Sequence, residues 1–438
     1  MARGMSRRTL LKGAAGAAVG TAVIGAPSST FGAPALIQNT GSNAEITFWT
    51  SFGSGVNGEA QAKLVEDFNA LGEGITVTAQ TYQSYEEVAQ ALITGLQTGD
   101  VPDVAILSDV WWFRFYLSQS LVDLTPFVEN GEDYVESLFV EYQRNGGQWA
   151  IPFARSTPLL YYHAEGLEKA GLTPEIFTTW SGFRDAAADF VSGSGLSAAF
   201  GFGNAASYGA WVLHGPVWAF DGRYSDEEFN ILIDQGGALD CGEFMRQFVE
   251  SGNAIAVTDP VTEFQTGAFG AILGSTGSLG GIRDAAQFEF GTAFLPEEKK
   301  FGCCTGGSGL SVLANASEEN QQAAARFINY CTSTEVTSYW AQTTGYMPVR
   351  TSAIESEDFQ TFLDQNPNNR TAIEQLPKTQ PQDTARVFIP NGDQIIGRGW
   401  EQILVNNVPA ADAFGEVAQT LNEEKQPVLE ALAEIEGQ

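Results

Sequence analysis

Positively charged residues are scarce in this sequence. Only 22 lysines and arginines stand against 53 aspartates and glutamates in 438 residues, which gives a formal net charge of −31 at pH 7. A surface of this sign repels phosphate backbones and anionic lipid headgroups, so nucleic acid and membrane surfaces are excluded as partners. An acidic surface with few lysines also suggests a protein that works in high salt, a hypothesis that a salt titration can test.

Cysteine and histidine are equally rare. The chain contains four cysteines and two histidines and no C-x-x-C pair, so neither a metal site nor another cofactor is expected. Cys241, Cys303, Cys304 and Cys331 could form disulfides in an exported protein, but they allow three pairings, and buried free thiols fit as well. HExxH and GxSxG motifs are absent, and no cysteine has a plausible histidine partner. We therefore expect a binding protein and not an enzyme.

Beyond the N-terminus, the sequence has no apolar run that approaches the ~20 residues a membrane span needs. Residues 6–12 (SRRTLLK) resemble a twin-arginine export signal, and a weakly apolar glycine- and alanine-rich stretch follows them. Small residues at Ala33 and Ala35 favour cleavage after Ala35, so we predict a signal peptide over residues 1–35. No cysteine lies near this point, which argues against a lipid anchor.

The mature chain begins with alternating strand and helix patterns. Such alternation predicts a parallel sheet flanked by helices, and ligands bind beyond the carboxyl ends of such strands. Tyr85 and Asp109 follow the second and third predicted strands, so both are candidate ligand-binding residues. The predicted strands are 46–49, 75–78 and 104–107, and the predicted helices are 58–71 and a helix that Ser84 and Glu87 cap.

The segment 146–171 organises the rest of the chain. An apolar stretch at 149–153 (WAIPF) leads to a polar hinge at 154–158 (ARSTP), and a second apolar stretch follows at 159–162 (LLYY). Pro152 and the proline of the hinge favour extended backbone before them. We interpret this as the chain leaving one lobe and entering a second across a cleft. A buried strand pair with a proline-rich turn remains the alternative.

This segment closely resembles the crossing segment of extracellular solute-binding proteins of ABC importers (family 1). Among them it is most similar to the glycerol-3-phosphate and glycerophosphodiester binders. The resemblance implies a two-lobed α/β fold of the maltose-binding-protein type (type II), in which each lobe is a mixed or parallel sheet flanked by helices and the ligand lies in the cleft. It also implies a monomer of the periplasm or extracellular space that delivers its ligand to a membrane permease and its ATPase.

The resemblance also implies where the two lobes divide. Lobe 1 is expected to comprise residues 44–154 and 272–345, and lobe 2 residues 155–271 and 346–438. On this division the apolar run 271–273 is a strand that returns the chain to the first lobe.

Site residues follow from the family motifs, position by position. Arg386, in the segment ARVFIPNGD, is expected to bind the phosphate through its fork of donors. Asp109 is expected to accept hydrogen bonds from glycerol hydroxyls. The other candidates that match the family's binding positions are Tyr85, Ser156, Tyr208, Trp211, Ser275, Gly307 and Tyr346.

The aromatic residues leave the ligand class open. Tyr208 and Trp211 lie in a glycine- and aromatic-rich stretch that could form a wall against a sugar or a cationic head group. Tyr208 replaces an aliphatic residue of other diester binders, which leaves the head group undetermined. The alternatives are a sugar- or oligosaccharide-binding protein of the same fold and, from a different class, an exported α/β hydrolase.

Overall fold

The computed structural model describes residues 44–205 and 208–437. The predicted signal peptide, its twin-arginine motif and its cleavage point lie outside the described residues. Within the described ranges, no helix has the length and apolar character to cross a membrane.

One mixed five-stranded sheet is built mainly from the first third of the chain, with the strand order β2-β1-β3-β12-β6. Strand β1 pairs in parallel with β2 and β3, and β12 is antiparallel to both β3 and β6. This confirms the predicted parallel start of the sheet. The strands are β1 (Ala44–Thr50), β2 (Ile75–Thr81), β3 (Val104–Ser108), β6 (Ile151–Ser156) and β12 (Gly306–Val312), and a two-stranded hairpin of β4 (Gln143–Arg144) and β5 (Gly147–Gln148) precedes β6.

The helix that follows β2 places Tyr85 at the carboxyl edge of this sheet. The side chain of Ser84 accepts a hydrogen bond from the backbone N–H of Glu87, so the helix begins at Tyr85. The helix ends at Gly99, whose φ of 85° is the left-handed conformation that glycine adopts without strain. The start of the helix agrees with the sequence prediction.

A second five-stranded sheet has the order β11-β7-β10-β8-β9. Strand β7 is antiparallel to β10 and β11, whereas β8 is parallel to β9 and β10. Together the two sheets and their flanking helices confirm the predicted α/β class with two lobes. The strands are β7 (Pro158–His163), β8 (Ala198–Gly203), β9 (Ala254–Val257), β10 (Phe269–Ser275) and β11 (Phe290–Ala293).

The chain crosses between the sheets at Thr157. Strand β6 of the first sheet ends at Ser156, and β7 of the second sheet begins at Pro158. The interpretation of this segment as a crossing is therefore correct. The expected boundary after residue 154 falls two residues early, because Arg155 and Ser156 still pair with β12 in the first sheet.

The strand that contains residues 271–273 does not return to the first lobe, so this expectation is wrong. Strand β10 pairs with β7 and β8 inside the second sheet, and β11 also joins that sheet. The chain reaches the first sheet again only at β12. The error has a physical reason: an apolar run predicts a buried strand but does not specify the strand with which it pairs.

The four cysteines are buried and free, so the structure selects the free-thiol alternative.

Helices cover both sheets. The helices, in chain order, are α1 (Gly55–Ala70), α2 (Tyr85–Thr98), α3 (Trp112–Leu117), α4 (Glu136–Phe139), α5 (Ala164–Lys169), α6 (Trp180–Ser194), α7 (Gly209–Val212), α8 (His214–Ala219), α9 (Gly236–Glu250), α10 (Pro260–Gln265), α11 (Leu279–Ala285), α12 (Glu318–Cys331), α13 (Thr334–Thr344), α14 (Thr351–Glu355), α15 (Glu357–Gln365), α16 (Pro367–Gln375), α17 (Thr384–Val387), α18 (Gly392–Leu404) and α19 (Ala410–Glu436).

Candidate functional site

A cavity of about 570 Å³ lies between the two lobes and is lined by residues of both sheets. Its volume is within the usual range of small-molecule sites, about 300–1,000 Å³. The structure brings all nine candidate residues from the sequence to this one cavity. They are Tyr85, Asp109, Ser156, Tyr208, Trp211, Ser275, Gly307, Tyr346 and Arg386.

Asp109 follows β3 directly and is only 6% exposed. Its Oδ1 accepts hydrogen bonds from the Tyr142 hydroxyl (2.9 Å) and from Nη1 of Arg155, and its Oδ2 accepts one from Nε2 of Gln382 (2.7 Å). A carboxylate offers about four acceptor positions. Three are therefore occupied by protein donors, which hold the group in place and leave about one position for a ligand hydroxyl.

Arg155 stabilises this carboxylate from behind and was not predicted as a site residue. The side chain is fully buried, at 0% exposure, and it pairs with both Asp109 and Glu141. Burial raises the pKa of Glu141 to about 8, against the opposing effect of the Arg155 charge. The Thr305 hydroxyl donates to the other oxygen of Glu141. The motif ARSTP showed an arginine at the crossing but gave no sign of its partners.

Arg386 lines the same cavity from α17 and is 5% exposed. Its Nε donates to Oδ1 of Asp393 over 2.7 Å, and its Nη1 donates to Oε1 of Gln382. Nη2 has no hydrogen-bond partner among residues 44–205 and 208–437. Arg386 is therefore oriented by two protein acceptors and retains donors for an anionic ligand.

Two tyrosine hydroxyls meet on the first-lobe wall. Tyr85 Oη lies 3.4 Å from Tyr346 Oη, and the Ser308 hydroxyl donates to Tyr85 Oη over 3.2 Å. Burial raises the pKa of both Tyr85 and Tyr346 above the ordinary value of a tyrosine. Both rings therefore present neutral hydroxyls, which suit a phosphate oxygen or a sugar hydroxyl.

Glycine loops bring backbone close to the cavity. A Cβ on Gly277 would lie 2.5 Å from the Tyr346 ring, so the ring can pack here only because residue 277 is glycine. Gly307 has a φ of 113°, and a Cβ there would lie 2.1 Å from the carbonyl oxygen of Ala154. Ser275 precedes the first of these loops, and its Oγ accepts from the Gly277 N–H over 3.1 Å.

The aromatic wall consists of one buried and one exposed ring. Trp211 is 6% exposed, and its Nε1 donates to the Thr305 carbonyl over 3.0 Å. Gly306 permits this packing, because a Cβ there would lie 2.3 Å from Nε1 of the indole. Tyr208 is 41% exposed and precedes α7 with a φ of 57°.

Several polar residues line the cavity that the sequence analysis did not select. Ser108 is 8% exposed, and its Oγ has no partner in the described part of the chain; the same holds for the buried Oγ of Ser51. Glu86 adjoins Tyr85 and could have been suspected from that position alone. The additional polar lining residues are Ser51, Asn57, Gln83, Ser84, Glu86, Ser108, Thr258, Asp259, Ser278 and Asp393.

Comparison with known proteins places the chain in a family. Residues 63–371 match the model of the family described as bacterial extracellular solute-binding protein. The chain is 27% identical over 371 residues to the sn-glycerol-3-phosphate-binding periplasmic protein UgpB of Escherichia coli K12, and the match covers 79% of this chain and 84% of that protein.

Solved structures of similar proteins support the same family assignment. The crystal structure of UgpB from Mycobacterium tuberculosis in complex with glycerophosphocholine is 37% identical, with a TM-score of 0.83 over 88% of this chain and 98% of that one. The cyclic alpha-maltosyl-1,6-maltose binding protein of Arthrobacter globiformis has a TM-score of 0.76 at 20% identity, over 88% of this chain and 100% of that one, and shows the same fold. This chain belongs to the family of bacterial extracellular solute-binding proteins.

Proposed function

We propose that this protein is the substrate-binding subunit of an ABC importer that captures sn-glycerol 3-phosphate or a glycerophosphodiester such as glycerophosphocholine. Two named relatives support this ligand class: UgpB of Escherichia coli is a sn-glycerol-3-phosphate-binding protein, and UgpB of Mycobacterium tuberculosis was crystallised with glycerophosphocholine. The role is binding and delivery, in line with membership of a solute-binding family.

The observation that carries the proposal is the placement of Arg386 and Asp109 in one cavity. The guanidinium provides charged donors for a phosphate, which Ser156, Ser275 and the Tyr346 hydroxyl supplement with neutral donors. The carboxylate provides an acceptor for glycerol hydroxyls. A ligand that offers a phosphate to Arg386 and a diol to Asp109 is a glycerol phosphate ester.

The lobes close on the ligand by a hinge motion, and the ligand stabilises the closed state. Lobe 1 comprises residues 44–156 and 306–350, because Met347 and Arg350 pair with Arg155 and Tyr134 of that lobe, and lobe 2 comprises residues 158–293 and 351–437. Thr157 and the segment between β11 and β12 belong to the hinge. The closed form docks on a membrane permease coupled to an ATPase.

The remaining parts of the proposal concern export and assembly. The protein leaves the cytoplasm through the twin-arginine pathway, on the basis of the SRRTLLK segment, and acts in the periplasm or outside the cell. It carries no lipid anchor and acts as a monomer.

A sugar- or oligosaccharide-binding protein is the second candidate. The aromatic wall of Tyr208 and Trp211 favours it, since such rings stack on pyranose faces. Arg386 argues against it, because a neutral sugar leaves the nearly buried guanidinium without an anionic ligand.

Isothermal titration of the mature protein with glycerophosphocholine, glycerol 3-phosphate and maltose separates the two candidates. We expect saturable binding of at least one phosphate ester and none of maltose. Binding of maltose without binding of either ester would overturn the proposal in favour of the sugar-binding alternative. Hydrolysis of the diester during the titration would instead indicate an enzyme.

A further inference from the structure

The charges on the cavity wall do not balance. Within the described residues, four carboxylates and one guanidinium line the cavity, with no lysine and no histidine. These groups are Glu86, Asp109, Asp259, Asp393 and Arg386. A site that binds an anion is therefore surrounded mainly by acids.

Three of the four carboxylates have partners. Asp109 pairs with Arg155, and Asp393 accepts from Arg386. Asp259 accepts from the backbone N–H of Thr262 (3.0 Å) and from its hydroxyl (2.7 Å), which is a helix cap. Each of these three carboxylates is thus held by protein donors before any ligand binds.

Glu86 is the exception, since it forms no ion pair or hydrogen bond with any described residue. It is the second residue of α2 and is half-buried. It lines the main cavity and also an adjoining chamber of about 60 Å³ beside Trp111 and Arg114. Arg114 lies over the Trp111 ring, 5.7 Å from its centre, and has no carboxylate within 4.0 Å among the described residues.

The carboxylate of Glu86 lies near the exposed aromatic ring of the site. Desolvation of this partly exposed side chain raises the pKa of Tyr208, and the negative charges of Glu86 and Asp393 add to the rise. Tyr208 and Glu86 both line the cavity, so an aromatic face borders the same space as a carboxylate that has no partner in the described parts of the chain. This combination suits a cation, because an aromatic face and a carboxylate both attract positive charge.

We propose that this cavity selects glycerophosphodiesters with a cationic head group over glycerol phosphate monoesters, and that Glu86 is the specificity-determining residue that faces the head group. This inference rests on the proposed function and refines it. The ligands concerned are glycerophosphodiesters of choline or ethanolamine, in which one ammonium charge balances the single phosphate charge.

The electrostatic reason lies in the ligand charges. A phosphate monoester carries about −1.5 to −2 charges near pH 7, because its second pKa is about 6. Arg386 is the cation that faces it from the described lining, and this arginine is already shared with Asp393. Like charges brought together in a binding site repel each other, so the Glu86 carboxylate opposes the monoester. A zwitterionic diester places its phosphate near Arg386 and its ammonium group near Glu86.

The test is a calorimetric comparison of wild type and Glu86→Gln with three ligands: glycerophosphocholine, glycerophosphoglycerol and glycerol 3-phosphate. Glycerophosphoglycerol has the same diester phosphate but no cation, so it isolates the head-group charge. We expect Glu86→Gln to weaken glycerophosphocholine binding by about 5–10-fold. The same variant should bind the other two ligands as well as wild type does, or more tightly.

Glu87→Gln is the matched control, because it makes the same charge change on the next residue, which is exposed and does not line the cavity. It should leave all three affinities unchanged. Circular dichroism melting shows whether each variant is folded, and Glu86→Asp should retain the preference for the choline ester if the charge decides it.

Equal weakening of all three ligands, or no change for any, would overturn the role of Glu86 while leaving the proposed function standing. Wild-type protein that binds none of the three esters would overturn the proposed function itself. Wild-type protein that prefers glycerol 3-phosphate to glycerophosphocholine would refute the selectivity inference alone.

Discussion

The side-chain amide of Gln382 donates a hydrogen bond of 2.7 Å to Oδ2 of Asp109. The same amide accepts from Nη1 of Arg386 through its oxygen. Gln382 therefore joins the acidic and the basic residue of the site and fixes their separation. A ligand that spans a phosphate and a diol meets both groups already positioned.

Removal of this amide should weaken ligand binding. Hydrogen bonds to charged groups contribute about 1.5–3 kcal/mol, and about 1.4 kcal/mol corresponds to a tenfold change in Kd. We expect Gln382→Ala to raise the Kd for glycerophosphocholine by about tenfold in isothermal titration. Gln380→Ala, a change of an exposed side chain two residues away, is the control and should bind normally. Tighter binding by Gln382→Ala would mean that the amide competes with the ligand instead of positioning its partners.

Gly306→Ala should destabilise the protein through Trp211. The added Cβ would lie 2.3 Å from the indole Nε1, so the ring must move away from its bond to the Thr305 carbonyl. Overpacking of this kind costs about 1–3 kcal/mol, which urea unfolding can measure. Gly281→Ala is the matched change, since nothing lies within 4 Å of its Cβ position, and it should not lower stability. Equal unfolding midpoints for the two variants would contradict this account of the aromatic wall.

Glu141 gives stability a pH dependence whose sign follows from its pKa. Burial raises that pKa to about 8 in the folded chain, compared with about 4.5 in the unfolded chain. Its contribution to stability is therefore fully present below pH 4.5 and is lost as the pH rises towards 8, with a slope of at most about 1.4 kcal/mol per pH unit. The free energy of unfolding should fall more between pH 5.5 and 8 in wild type than in Glu141→Gln.

The control for the pH experiment is the difference between the two curves, because groups remote from Glu141 titrate equally in both proteins. Gln at this position can still accept from Arg155 and donate to the Thr305 hydroxyl, so the variant should fold. Parallel curves for wild type and variant would show that Glu141 is ionised in the folded protein.

The acidic surface predicts a large effect of salt on stability. With a formal net charge of −31, repulsion among carboxylates destabilises the compact state. The screening length falls from about 30 Å at 0.01 M salt to about 3 Å at 1 M. The Tm should therefore rise substantially between low and molar sodium chloride. A Tm that stays constant or falls over this range would rule out adaptation to high salt.

Local sequence patterns predicted the strands, caps and helix ends, because each of these depends only on residues close in the sequence. The strand before Asp109, the cap at Ser84 and the helix stop at Gly99 are each determined within a few residues. The positions of Tyr85 and Asp109 at the carboxyl edge followed from these elements. Arg386 required the resemblance to a family, because an arginine in a short helix has no local feature that marks a binding site.

Tertiary partners account for what the sequence could not predict. The pairing of β10 with the second sheet depends on β7 and β8, which its own apolar residues do not identify. No sequence feature marks Arg155 as a buried residue, and its role is apparent only when Asp109 and Glu141 lie beside it. In the sequence Glu87 is marked as the capping partner of Ser84, whereas nothing marks Glu86, and only the direction of the helix shows that Glu86 lines the cavity.

The most direct test of the central claim is the affinity of Arg386→Ala for glycerophosphocholine, measured by isothermal titration beside wild type. Arg398→Ala, which removes an exposed arginine in α18, is the matched control and should bind as wild type does. The account predicts that Arg386→Ala loses about 2–5 kcal/mol of binding free energy, because a phosphate in the cavity loses its charged partner. Unchanged affinity in Arg386→Ala would contradict the claim that this guanidinium and the facing carboxylate of Asp109 hold a glycerol phosphate ester between the lobes.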